Sequence, residues 1–198
     1  MEKNICKIKI RNEQSTGFFC KISFPDKDNM LPVFITNNHI INLKEDKIII
    51  KIKEEKESLI INLNNRIKYT NKEYDITIIE LKEKDNIKNY LELDDNIIND
   101  LNEEYIDKTI YIIQYPEGEL SISYSVLNRI DEDKKYNFNH KCSTKGGSSG
   151  SPIININNKL IGIHKEGYNN KLNKGLFLNY PIKEFIELYS KNNNELLL

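Results

Sequence analysis

The stretch Gly146-Gly147-Ser148-Ser149-Gly150-Ser151-Pro152, followed by Ile153-Ile154, decides how the rest of this chain is read. It has the form G-x-S-G-x-P, a serine between glycines just ahead of an apolar run. A serine hydroxyl is a weak nucleophile. It needs a base to take its proton and hydrogen-bond donors for the oxyanion it creates. Glycines on either side let the backbone turn tightly and aim its own N–H groups into a cavity. Gly/Ser-rich turns are common in loops of every kind, so the pattern gains force only from a histidine and an acid in fitting surroundings.

Upstream, Leu31-Pro32-Val33-Phe34-Ile35-Thr36 reads as a buried strand that delivers Asn37-Asn38-His39 to a polar turn. Rigid strands ending in loops are a common way to position a reactive side chain. Asp75 precedes the apolar run Ile76-Thr77-Ile78-Ile79. An acid at the lip of such a strand is costly to bury without a partner, and a histidine Nδ1–H is one such partner. Taken singly, His39 is also compatible with a solvated loop and Asp75 with a turn cap. The order His39, Asp75, Ser149 is the one found on paired β-barrels among several unrelated arrangements of the same three residue types.

The remainder of the chain supports that architecture. Short β-branched and aromatic runs recur at Lys7–Ile10, Gly17–Ile22, Leu31–Thr36, Ile48–Ile52, Leu59–Leu63 and Ile76–Leu81. A second set follows at Thr109–Tyr115, Leu120–Ile130, Pro152–Ile156, Leu160–His164 and Gly175–Leu178. This spacing predicts an all-β barrel or sandwich. The acidic, Asn-rich stretch 82–108 reads as a connection between halves. Pro181 stands where a first helical residue belongs, and Ile182, Phe185, Ile186 and Tyr189 recur at i, i+3, i+4, i+7, predicting an amphipathic helix to about Ser190. Asn192-Asn193-Asn194 breaks that pattern, and the polar end is consistent with a link to further sequence.

Composition narrows the function classes. The 198 residues carry 30% charged side chains and a net charge of −1, with 38% hydrophobic residues. That balance argues against nucleic acid and anionic membranes as partners. No apolar run reaches membrane-spanning length and the N-terminus has no signal-type segment. Three cysteines, Cys6, Cys20 and Cys142, form no metal-ligand spacing, so free thiols in the cytoplasm, no metal and no cofactor are the expectation.

With these residues in view, the chain resembles the chymotrypsin-like (trypsin-fold) serine peptidases. Ser15-Thr16-Gly17-Phe18-Phe19, Ile35-Thr36-Asn37-Asn38-His39 and Tyr74-Asp75-Ile76-Thr77-Ile78 are similar to that family's motifs, as is the serine loop. The resemblance implies two packed six-stranded Greek-key β-barrels and a C-terminal helix. Residues 1–95 would carry His39 and Asp75, 96–108 would connect the barrels, and 109–198 would carry Ser149. It implies Ser149 as nucleophile, His39 as general base, Asp75 as its orienting acid, and the N–H groups of Gly147 and Ser149 as oxyanion donors. Ser143-Thr144-Lys145-Gly146-Gly147-Ser148-Ser149-Gly150-Ser151-Pro152 is most similar to glutamyl endopeptidases. There a loop threonine and a G-I-H strand histidine line the primary pocket, implying Thr144 and His164 here and cleavage of polypeptide after Glu or Gln. His140 has no comparable context and reads as a loop residue. Lys165-Glu166-Gly167 departs from the family's usual strand, and Glu166 would repel an acidic substrate residue. The alternative is a catalytically silent protease-fold module that binds peptides within a larger protein. It predicts a degraded triad, and this chain keeps all three members.

Overall fold

A computed structural model describes residues 1–10, 13–24, 28–44, 46–53, 57–169 and 172–195. The first half forms one curled antiparallel sheet from β1 (Ile5–Ile10), β2 (Glu13–Ser23), β3 (Met30–Thr36), β4 (Lys47–Ile52), β5 (Leu59–Asn62), β6 (Lys68–Asn71) and β7 (Ile76–Glu80). Its strand order is β5-β4-β1-β2-β3-β7-β6. The second half is a closed barrel of β8 (Thr109–Gln114), β9 (Ser121–Ile130), β10 (Asn137–His140), β11 (Pro152–Asn155), β12 (Leu160–Asn169) and β13 (Leu172–Phe177). The helix α1 (Asp95–Ile98) lies in the connection, and α2 (Asn179–Glu195) follows the last strand.

The all-β plan with two sheets and a C-terminal helix is the expected one, and the second barrel closes on six strands as expected. The first sheet differs: it has seven strands and stays open between β5 and β6. Arg66 fills the turn between those two strands. Its buried guanidinium donates to Asn62 O at 2.5 Å and Glu80 O at 3.0 Å, and holds the Asp85 carboxylate in a two-pronged pair at 2.6 and 2.7 Å. The guanidinium thus satisfies two main-chain carbonyls and a carboxylate where the chain turns from β5 to β6.

β6 and β10 are the strands that the sequence pattern missed. Lys68-Tyr69-Thr70-Asn71 sits at a sheet edge, where one neighbour suffices and apolar alternation is weak. Asn137-Phe138-Asn139-His140 is buried throughout although only Phe138 is apolar, because β9 and β13 flank it on both sides.

Where a strand is buried on both faces, its sequence runs continuously apolar. β3 shows this: Val33 and Ile35 point into the seam between the sheets, whereas Phe34 points into the core of the first sheet. Ile153 and Ile154 divide in the same way between the barrel interior and the seam. The seam core also takes in Ile182 and Phe185 of α2, with Ile186 and Tyr189 half-buried beside them. The helix begins at Asn179, two residues ahead of Pro181, and runs through the Asn192–Asn194 tract. Proline is tolerated there because first-turn N–H groups have no intrahelical partner. Positions 196–198 lie outside the described residues. Among the described residues no helix is long and apolar enough to cross a membrane.

Candidate active site

β3 ends in Thr36 and Asn37, both fully buried, and the chain then turns, with Ile40 N and Ile41 N both donating to Asn37 O. This turn presents His39. Asn37 Nδ2 donates to Asp75 O at 2.9 Å, tying it to the segment that enters β7. Asp75 holds His39 twice: Oδ1 accepts from the His39 backbone N–H at 2.9 Å, and Oδ2 lies 2.8 Å from Nδ1. The residue adopts a left-handed φ of 58°, which aspartate tolerates better than most residues. A carboxylate facing Nδ1 selects the tautomer protonated there, so the neutral ring keeps Nε2 as its acceptor nitrogen.

The serine loop is organised by its own polar atoms. Ser148, fully buried, accepts from Lys145 N through its hydroxyl at 3.0 Å and donates its N–H to Lys145 O at 3.0 Å. Its carbonyl accepts from Ser151 N at 3.2 Å and Ser151 Oγ at 2.6 Å. Gly146 O accepts from Glu117 N at 2.7 Å. In a trans peptide the N–H points opposite to the preceding carbonyl. Tying down Gly146 O and Ser148 O therefore turns the N–H groups of Gly147 and Ser149 away from the body of the loop. Neither finds an acceptor among the described residues. Gly147 (φ 96°) and Gly150 (φ 85°) make this path possible. A Cβ at Gly150 would sit 2.0 Å from Thr16 O and 2.5 Å from Thr36 Oγ1. Ser149 is half-buried, and its hydroxyl has no hydrogen-bond partner among the described residues.

One residue stitches these parts together. Thr16, fully buried on β2, donates its N–H to Ser149 O at 3.0 Å and its hydroxyl to Gly147 O at 2.8 Å. Its carbonyl accepts from Thr36 Oγ1 at 2.9 Å, and its hydroxyl oxygen accepts from Tyr115 N at 3.0 Å. The serine loop is thereby fixed to the strand end from which the His39 turn departs. His164 lies in the same neighbourhood: it donates to Ser151 O and accepts from Gly150 N through its backbone.

His140 is not the loop residue that the sequence implied. It lies fully buried on β10 with Nε2 3.2 Å from His164 Nδ1. Cys142 N donates to His140 Nδ1 at 3.3 Å, so that nitrogen is an acceptor. The neutral His140 then carries its proton on Nε2 and donates to His164 Nδ1, which leaves His164 protonated at Nε2. Burial lowers both rings, His140 to about 4 and His164 to about 3, with His140 and His39 adding to the effect on His164. The Thr144 hydroxyl donates to Asn173 Oδ1 at 3.0 Å, and Asn173 Nδ2 donates to Cys142 O at 2.6 Å. Asn173 stands opposite His140 in the β10–β13 register, so Thr144, Asn173, His140 and His164 form one polar wall. Glu166 is exposed, with Lys174 Nζ at 4.0 Å from its carboxylate.

Cys6, Cys20 and Cys142 are all free and buried. Burial pushes the Cys142 thiol up to about 12 and the other two higher still, which removes the thiolate that nucleophilic attack requires.

An open seven-stranded sheet and a closed barrel, with a histidine–aspartate pair on one and a glycine-flanked serine on the other, define the two-barrel peptidase class. Residues 16–163 match the family described as the trypsin-like peptidase domain, and the chain belongs to that family. It is 30% identical over 89 residues to the glutamyl endopeptidase of Staphylococcus epidermidis, a stretch covering 44% of this chain and 30% of that protein. Among solved structures, the serine endoprotease from Yersinia pestis superposes with a TM-score of 0.68 at 13% identity, covering 94% of this chain and 64% of that one. A human pathogenic astrovirus serine protease gives 0.63 at 14%, covering 90% and 91%. At such identities these two structures speak for the fold alone.

Proposed function

We propose that the protein is a serine endopeptidase working through an acyl-enzyme, with Ser149 as nucleophile, His39 as general base and Asp75 as its orienting acid. The observation that carries this reading is the double contact of Asp75 with His39, which leaves Nε2 as the free base. Ser149 Oγ attacks the scissile carbonyl carbon of a bound polypeptide while its proton passes to His39 Nε2. The oxyanion is met by the N–H groups of Gly147 and Ser149. His39 returns the proton to the leaving amine, the C–N bond breaks, and water repeats the sequence on the ester. Loss of one oxyanion donor in such a site costs ~100–1,000-fold in rate.

Cleavage after Glu or Gln is supported by the polar wall behind the loop. His164 Nε2–H is a donor to either a carboxylate or a carboxamide. Thr144, whose proton is engaged by Asn173 Oδ1, accepts from a carboxamide as it stands and donates after rotating. The buried free thiols are in keeping with a cytoplasmic setting.

A fluorophosphonate probe tests the nucleophile. Wild-type protein is expected to label and Ser149→Ala to remain unlabelled. A folded wild type that fails to react refutes the enzyme reading, and labelling that survives in Ser149→Ala refutes the assignment. A peptide library then tests the pocket, which is wrong if cleavage follows Lys, Arg or large aromatic residues.

A further inference from the structure

Lys165 directly follows His164 on β12, and only 7% of its surface is exposed. A buried ammonium is expensive unless acceptors and an opposite charge meet it. Its Nζ donates to Asn137 Oδ1 at 3.4 Å within its own barrel, and at 3.5 Å to Glu73 O on the first sheet. Glu73 is two residues before Asp75. The same turn is gripped again from the second barrel, since Tyr136 Oη donates to Glu73 Oε1 at 2.7 Å and Lys134 Nζ lies at 3.4 Å. Tyr74 stacks edge-on against Tyr136 with ring centroids 4.8 Å apart.

Several charged groups surround the ammonium. Glu166 and Lys174 lie on β12 and β13, Lys134 in the loop before β10, and Glu73 and Asp75 on the facing turn. Burial lowers Lys165 from the ordinary lysine range, and Asp75 is the leading influence that opposes this. Among these groups only Asp75 also holds His39.

We propose that Lys165 is a positioning residue. Its ammonium crosses the seam and pins the 73–75 turn through the Glu73 carbonyl, which seats the Asp75 carboxylate against His39. The proposal rests on reading His39 and Asp75 as the catalytic pair, but its structural half can be measured without any catalysis. The His39 amide donates to Asp75 Oδ1, so its hydrogen exchange reports how firmly that carboxylate is held.

The experiment compares wild type with Lys165→Met, which keeps the aliphatic stem, and Lys165→Arg, which keeps the charge. In Lys165→Met the His39 amide is expected to exchange roughly tenfold faster, while the Phe34 and Ile35 amides of β3 stay within about twofold of wild type. On a cleaved peptide, kcat falls roughly tenfold with KM unchanged, and Lys165→Arg restores most of both losses. Should Lys165→Met fail to fold, Lys165→Gln is read by the same criteria. Exchange that accelerates equally at His39 and along β3 marks Lys165 as a general brace and overturns the proposal. So does an unchanged His39 amide, or a Lys165→Arg protein as impaired as Lys165→Met. If wild type cleaves nothing, the catalytic reading fails, and the exchange data alone decide whether Lys165 holds the turn.

Discussion

Acidification from pH 7 to pH 5 should destabilise this protein through two buried imidazoles. His140 and His164 are held neutral in the folded state, with midpoints near 4 and near 3, against an ordinary value of 6.5. Above pH 6.5 both rings are neutral folded or unfolded, and their burial carries no proton-linked penalty. Below it the unfolded chain binds protons that the folded chain refuses, so stability falls with pH until the folded midpoints are reached. Each ring contributes up to about 1.4 kcal/mol per pH unit across that window, or about 2 kcal/mol each at pH 5. Since the two rings share one hydrogen bond, the pair is expected to lose about 2–4 kcal/mol, a large part of a typical domain's stability. Between pH 7 and pH 5 the histidines dominate, because carboxylates stabilised in the fold, such as Asp85, release their contribution only as pH falls through the ordinary carboxylate range and below. Urea unfolding at pH 7, 6 and 5 measures it directly. The double variant His140→Gln/His164→Gln should show a much flatter dependence. Equal wild-type stability at pH 7 and pH 5 would refute the claim that these rings are buried and neutral.

Two further substitutions probe the site. Asp75→Asn presents a carboxamide where His39 Nδ1–H needs an acceptor and invites the wrong tautomer, so kcat should fall ~10,000-fold while circular dichroism stays native. A loss of less than tenfold would remove Asp75 from the mechanism. Gly150→Ala places a Cβ against the Thr16 carbonyl at a φ of 85° and should cost about 3 kcal/mol or more, read as a lowered melting temperature. Gly146→Ala, where an added Cβ meets nothing within 4 Å, is its near-neutral control.

Most of this fold could be read from the chain because strands buried on two faces announce themselves as continuous apolar runs, as β3, β7 and β11 do. β10 could not, since three of its four residues are polar and only its neighbours on both sides make it a strand. The same gap hid the partner of His164. His140 stands two places beyond Phe138, a period-two spacing too short to distinguish from a polar loop. The candidates His39, Asp75 and Ser149 stand out in the sequence because each sits where a strand meets a loop, in a motif of recognisable local form. The pairing of Asp75 with His39 was expected, but the buried residues that hold them and the serine loop, Asn37 and Thr16, were not, because those contacts join segments far apart in sequence. Lys165 illustrates the limit: its sequence context showed a departure from the family's strand, and only the fold reveals that it reaches the turn of Asp75.

Thr16 explains why the two halves need not be aligned by the triad itself. Four hydrogen bonds tie it to neighbours of the site: its N–H and hydroxyl proton to the serine loop, its carbonyl to Thr36, its hydroxyl oxygen to Tyr115. A buried polar residue so completely paired resists displacement, since any shift would orphan several groups at once. The Ser149 hydroxyl and the Gly147 and Ser149 amides, which have no partner among the described residues, are therefore held in place by their neighbours. The scaffold, rather than a bond among the reacting groups, supports their placement. Under the proposed mechanism, that arrangement leaves those donors available for substrate, which is where hydrogen bonds contribute to rate rather than to folding.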